Sequence, residues 1–139
     1  MNFSPRLSAT VFALLLSLAA NAADLQVAVS DGPTVPATLF VALFDSAEAF
    51  AADLPLASQK VPMREGKAQL SFNGLAPGRY VIKSFADENG NEKLDTNLVG
   101  LPTERYGFSN DAKGRMGPPA FDAAAVKVDA DTSTAFRLH

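Results

Sequence analysis

Apolar residues in this chain recur at every second position in short runs, and nearly every run stops at a Gly, Pro or Asp turn signal. Leu25–Val29 alternates strictly and ends at Ser30-Asp31-Gly32-Pro33. Thr38–Phe44 is apolar at almost every position, the pattern of a strand buried on both faces. Gln59–Met63 and Lys67–Phe72 flank Arg64-Glu65-Gly66, a hairpin signal with glycine where positive φ costs least. Pro62 cannot donate to a strand ladder, so its strand belongs at a sheet edge or is cut short. Arg79–Ala86 sets Tyr80, Ile82 and Ser84 on one face and Val81, Lys83 and Phe85 on the other. Ala124–Val128 and Ala135–Leu138 bring the total to roughly seven strands. Only Ser46–Asp53 has helical composition, with Asp45 or Ser46 as cap, Glu48 in the first turn and Pro55 as limit. This pattern predicts an all-β chain folded as an antiparallel β-sandwich, with Phe40, Leu70, Phe72, Tyr80 and Ile82 in its core. An eight-stranded outer-membrane barrel would need strands of roughly ten residues, longer than these.

Residues 1–22 stand apart as a cleavable secretory leader. Met1–Arg6 carries one positive charge, Leu7–Ala19 is apolar, and Ala20-Asn21-Ala22 has the small-x-small form a signal peptidase accepts. The apolar run is about a dozen residues long, short of the roughly 20 that span a bilayer. A periplasmic or secreted domain over residues 23–139, with no membrane span, is therefore expected. The chain has no Cys, which removes disulfides, thiolate metal sites, a Cys nucleophile and N-terminal lipidation. Its one His is the terminal His139, so no interior imidazole serves a triad or a zinc site. A net charge of −3 across 139 residues argues against nucleic acid or anionic lipid as partner. The expected partner is an envelope or extracellular ligand.

Residues 87–121 form a segment too long for a structureless connection in a compact domain. Leu94, Leu98, Val99, Leu101, Tyr106, Phe108 and Phe121 make it too apolar for disorder, so an ordered loop packed against one end of the sandwich is expected. Within it, Tyr106–Asn110 reads as an anchor to the body, with an aromatic ligand platform as the alternative. Arg105, Lys113 and Arg115 stand among Glu104 and Asp111 and read as a solvated face more than an anion site.

The start of this loop carries the strongest chemical pattern. Asp87, Asn89, Asn91 and Asp95 occupy positions 1, 3, 5 and 9 of Asp-x-Asn-x-Asn-x-x-x-Asp, and Lys93 at position 7 offers its carbonyl. A hard cation such as Ca²⁺ takes six to eight oxygens at about 2.3–2.6 Å, and a curled backbone turns alternate side chains toward one centre. Glu104 is expected to close the shell from outside the run, ahead of Glu88 or Glu92. Unlike an EF-hand, the loop has its glycine at position 4 (Gly90) and a leucine at position 12 (Leu98), so affinity should be weak. The competing reading is a plain Asx-rich hairpin with Asn89-Gly90 as a type I′ turn. That reading accounts for the Asn-Gly pair but not for Asn91–Asp95, which lacks the alternation of a returning strand.

The residues favour a non-catalytic binding or scaffolding module with a calcium-stabilised loop. The rival is a small envelope hydrolase using loop carboxylates, which requires a cleft between Asp95, Glu104 and the aromatics of 106–110. Asp87 and Asp95 as a glycosidase acid and base are disfavoured because both sit in one polar loop. A purely structural envelope protein that binds nothing is a third possibility.

A succession of motifs also carries a resemblance. Leu75-Ala76-Pro77-Gly78-Arg79-Tyr80-Val81-Ile82 leads to Phe85-Ala86-Asp87-Glu88-Asn89-Gly90-Asn91 and then to Asp95-Thr96-Asn97. Gly100-Leu101-Pro102-Thr103-Glu104, Tyr106-Gly107-Phe108-Ser109-Asn110 and Gly117-Pro118-Pro119-Ala120-Phe121 follow in order. Together they resemble the bacterial secreted family catalogued as domain of unknown function 2141, over essentially the whole chain after the leader. The Leu-x-x-Gly-x-Tyr element is also similar to that of transthyretin-like and carboxypeptidase-regulatory-like sandwiches, which supports an Ig-like or transthyretin-like fold by analogy. The resemblance implies no assigned activity.

Overall fold

The computed structural model of the chain describes residues 21–139, and the expected leader falls almost wholly outside them. Eight strands occur among the described residues: β1 (Ala23–Ser30), β2 (Ala37–Phe44), β3 (Ala57–Met63), β4 (Ala68–Leu75), β5 (Gly78–Asp87), β6 (Tyr106–Phe108), β7 (Val126–Val128) and β8 (Thr132–Arg137). Two short helices, α1 (Ala47–Ala51) and α2 (Phe121–Ala124), and a 3-10 turn at Ser109–Asp111 complete the elements. The strands build two sheets, one in the order β4-β1-β8 and one in the order β3-β2-β5-β6 with β7 also paired to β5. The fold is the sandwich-like all-β arrangement that the alternation predicts.

Period-two alternation sets what each sheet buries. Leu25, Val27 and Val29 of β1 with Leu70 and Phe72 of β4 meet Leu39, Val41 and Leu43 of β2 and Tyr80 and Ile82 of β5 in one core. Each fully buried Leu, Val, Ile or Phe contributes about 1.5–3 kcal/mol relative to exposure. Leu70, Phe72, Tyr80 and Ile82 are thus core residues as expected, and burial, with the charge of Asp45, pushes the Tyr80 phenol above its ordinary range. Phe40 is a correction. It lies between Leu39 and Val41 and so points to the opposite face, where it is half-buried and stacks on Phe85 at 5.0 Å. The outer face of this sheet carries a second apolar cluster, in which Phe44, Val81 and Phe108 pack with Phe50 of α1 and Phe121 of α2.

Local signals are realised where sequence chemistry suffices. Ser46 caps α1 by accepting the Ala49 N–H at 3.1 Å. Glu65 (φ 53°) and Gly66 (φ 72°) form the tip of a two-residue hairpin closed by reciprocal Arg64–Lys67 bonds of 2.9 Å. Pro62 lies on β3, which ends its sheet, so the missing donor costs no ladder bond.

Two features differ from a purely antiparallel seven-stranded plan. β8 pairs with β1 in parallel, in the register Leu25–Thr132 to Ser30–Arg137. β6 is an additional strand inside the expected loop, paired to Lys83–Phe85 of β5. The chain end fastens it: the His139 N–H donates to the Tyr106 carbonyl at 2.9 Å, and the Tyr106 N–H donates to the His139 carbonyl at 3.1 Å. The His139 ring sits 4.8 Å from the Tyr106 ring. Burial and then Lys113 push its pKa down, against Asp111 and the Arg137 backbone.

Candidate cation loop and its surroundings

β5 ends in Asp87, and the loop that follows is organised by carboxylates aimed at its own backbone. Asp87 is buried, and its two oxygens accept N–H groups from Gly90 at 3.0 Å and Glu92 at 2.9 Å. Glu104, also buried, reaches the loop from its far end and accepts the N–H groups of Glu88 and Asp95, both at 3.2 Å. These bonds give buried carboxylates the partners that burial demands. They also tie together both ends of a loop with no regular ladder.

The remaining members of the pattern converge as well. The Asn89 Nδ2 and Asn91 Nδ2 groups both donate to the Asp95 carboxylate, each at 2.5 Å. The Asn89 Oδ1 accepts the Asn91 N–H at 3.1 Å, and the Asn91 Oδ1 accepts the Lys93 N–H at 3.0 Å. Two successive Asx turns therefore curl the segment. Asn89 is not among the residues with positive φ, whereas Gly90 (φ 74°) and Glu92 (φ 62°) are. A type I′ turn needs positive φ at both central positions, so the Asn89-Gly90 hairpin is not the conformation found.

All six expected site residues thus lie in or against one loop, with differing engagement. Asp95 is bonded by two side-chain amides, Asp87 and Glu104 by backbone N–H groups, and the Lys93 carbonyl has no hydrogen bond of its own among those described. Among the described residues, no group of three or more His, Cys, Asp and Glu side chains is arranged to hold a metal ion.

Beside the loop, a cavity of about 320 Å³ opens over the outer sheet face, lined by Asp53, Lys83, Ser84, Phe85, Glu92, Lys93, Leu94, Tyr106 and Phe108. Asp95 and Glu104 are not in its walls. Lys83 pairs with Asp53 at 2.9 Å and Lys60 with Glu92 at 2.6 Å across the same face. Tyr106 and Phe108 anchor the long loop to the sheet, as expected of them. Leu98, Val99 and Leu101 do not: their relative exposures are 107%, 78% and 61%, which corrects the expectation that they pack against the sandwich. Asn97 is the residue that sequence reasoning missed here. Its Oδ1 accepts the N–H groups of Val99 and Leu101, both at 3.0 Å, so the turn closes on its own side chain without burying an apolar contact.

No helix of the described residues is long and apolar enough to cross a membrane. Neither the curated proteins nor the solved structures contain a match to this chain. A family model described as an uncharacterised protein conserved in bacteria (DUF2141) matches residues 27–136, spanning both sheets and the whole of the 87–121 segment, and the chain belongs to that family.

Proposed function

We propose that this chain acts outside the cytoplasm as a non-catalytic binding or scaffolding module whose Asp87–Asp95 loop takes Ca²⁺ as a structural ion. The observation that carries this reading is the convergence of the Asn89 and Asn91 side chains on the Asp95 carboxylate, within a loop curled by two Asx turns. Each Asn carbonyl oxygen retains a second lone pair beyond the one that accepts a backbone N–H. Those two oxygens, the carboxylates of Asp87 and Asp95 and the Lys93 carbonyl are the oxygen donors a hard cation selects. On binding, Asp95 exchanges two amide donors for the ion as its counter-charge. Glu104 supports the reading by holding the two ends of the loop through the Glu88 and Asp95 N–H groups. Export is supported by the leader pattern of residues 1–22.

Thermal melts of the wild type in millimolar Ca²⁺ and in chelator test the proposal. A higher melting temperature with calcium is expected, lost in Asp95→Ala. Superimposable wild-type curves would overturn it.

A further inference from the structure

We infer that the cavity between Phe85 and Tyr106 binds a planar aromatic monoanion. Register partners form one row across the outer sheet face: Lys60 of β3 faces Phe40 of β2, Phe40 faces Phe85 of β5, and Phe85 faces Tyr106 of β6. Packing runs unbroken along the first three, with the Lys60 ammonium 5.1 Å from the Phe40 ring centre and the Phe40 ring stacked on Phe85 at 5.0 Å. At the far end the Tyr106 ring turns to His139, 4.8 Å away. Between Phe85 and Tyr106 the row breaks. Among the described residues each of these rings packs on another partner and not on its neighbour in the row, and both residues line the cavity. Directly opposed residues on one sheet face stand about 4.5–5.5 Å apart at Cβ, close enough for their side chains to pack. A break at such a pair is a place for a further ring, which gains aromatic contacts on either side.

Size restricts the occupant to a small molecule: about 320 Å³ lies at the small end of ligand pockets, whereas a stable protein partner covers about 800 Å² of each surface. Charge selects its sign. Asp53, Lys83, Glu92 and Lys93 line the cavity. Asp53 is neutralised by Lys83 at 2.9 Å and Glu92 by Lys60 at 2.6 Å. Lys93 has no carboxylate partner among the described residues, so the cavity is left with one cation to be matched. Tyr106 makes its described hydrogen bonds through its backbone, which leaves its hydroxyl to donate to the same anion. A single negative charge on a flat ring meets both features. Asp87, Asp95 and Glu104 are not in the cavity walls, so this site is separate from the proposed ion site.

Amide-detected NMR titration of the folded chain tests the inference, with 2-naphthoate as the probe, in chelator and again in calcium. Saturable shifts at the Phe85, Leu94 and Tyr106 amides are expected. Decahydro-2-naphthoate keeps the charge without the aromatic faces and should bind about fivefold more weakly. The neutral 2-naphthamide keeps the rings without the charge and should bind about threefold more weakly, the modest effect of one exposed ion pair. Lys93→Ala should weaken 2-naphthoate by about the same factor and leave 2-naphthamide unchanged. Lys93 is exposed, so its truncation spares the fold. Phe85→Leu, shown to be folded by its thermal melt, should weaken both aromatic probes. Shifts that are absent at millimolar 2-naphthoate, or confined to residues away from the cavity, would overturn the inference. So would equal affinity for 2-naphthoate and either analogue, or wild-type affinity in Lys93→Ala. Binding in either medium supports the inference, so failure of the calcium proposal leaves it standing.

Discussion

Ser109 completes the ladder of Ile82. Its hydroxyl accepts the Ile82 N–H at 3.0 Å in the gap where β7, paired to Gly78–Tyr80, stops and β6, paired to Lys83–Phe85, has not begun. The same hydroxyl donates to the Ala124 carbonyl at 2.5 Å, and Ser109 is fully buried. One side chain therefore serves a donor left between β7 and β6 and an acceptor at the end of α2. Ser109→Ala orphans both, and a loss of about 1–3 kcal/mol is expected. Urea unfolding measures the loss, and amide exchange at Ile82 should accelerate relative to its neighbours. Unchanged exchange would mean that another group serves the amide.

Ser84 makes the opposite case. It is buried on β5, and its Oγ has no hydrogen-bond partner among the described residues. A desolvated hydroxyl without a partner costs stability, so Ser84→Ala should be neutral or stabilising by about 1 kcal/mol. A clear fall in the denaturation midpoint would show that the hydroxyl is bonded in solution.

Phe72 and Phe40 test the register of both sheets. Phe72 is 3% exposed in the central core, and Phe72→Ala should cost about 3–5 kcal/mol. Phe40 stands half-buried on the outer face between Phe85 and the Lys60 ammonium, 5.1 Å from its ring centre. Truncating it forfeits stacking and part of its burial, so Phe40→Ala should cost about 1–2 kcal/mol. Equal losses in urea unfolding would contradict the assignment of the two rings to different environments.

This pair also indicates what the chain discloses in one dimension. Phe72 sits in a strand whose alternate residues are polar, so its inward face is legible. Phe40 sits in Thr38–Phe44, apolar on both sides, and alternation there cannot distinguish the central core from the outer cluster around Phe44. The Ser46 cap, the Glu65-Gly66 tip and the edge position of Pro62 were legible because each depends on residues within a few positions. β6 was not, because Tyr106–Phe108 is a strand only through its pairing with Lys83–Phe85 and the chain end. The parallel partnership of β1 and β8 joins residues more than a hundred positions apart and leaves no local trace. In the loop, the oxygen-bearing residue types and their spacing were readable. The use of Asp87 and Glu104 as backbone acceptors depends on burial, which residue type does not announce.

The proposed binding of Ca²⁺ to the Asp87–Asp95 loop implies a stability increment that depends on the ion. Ca²⁺ that binds only the folded chain adds RT ln(1 + [L]/Kd), about 1.4 kcal/mol at ten times the Kd. For a domain of this length that is about 4–6 °C in melting temperature. A weak site is expected because the shell contains two neutral amides and lacks a bidentate glutamate at its twelfth position, where Leu98 stands. Asp95→Ala removes the group on which both amides converge and should abolish the increment. Lys93→Ala leaves the carbonyl in position and should retain it. Asp87→Ala should also abolish it, and in addition should lower stability in chelator, since the Gly90 and Glu92 N–H groups lose their acceptor. Melts of the four proteins in calcium and in chelator separate the two effects: an ion effect appears only in the difference between media, a backbone effect in both. An increment that survives Asp95→Ala would move the ion away from this loop.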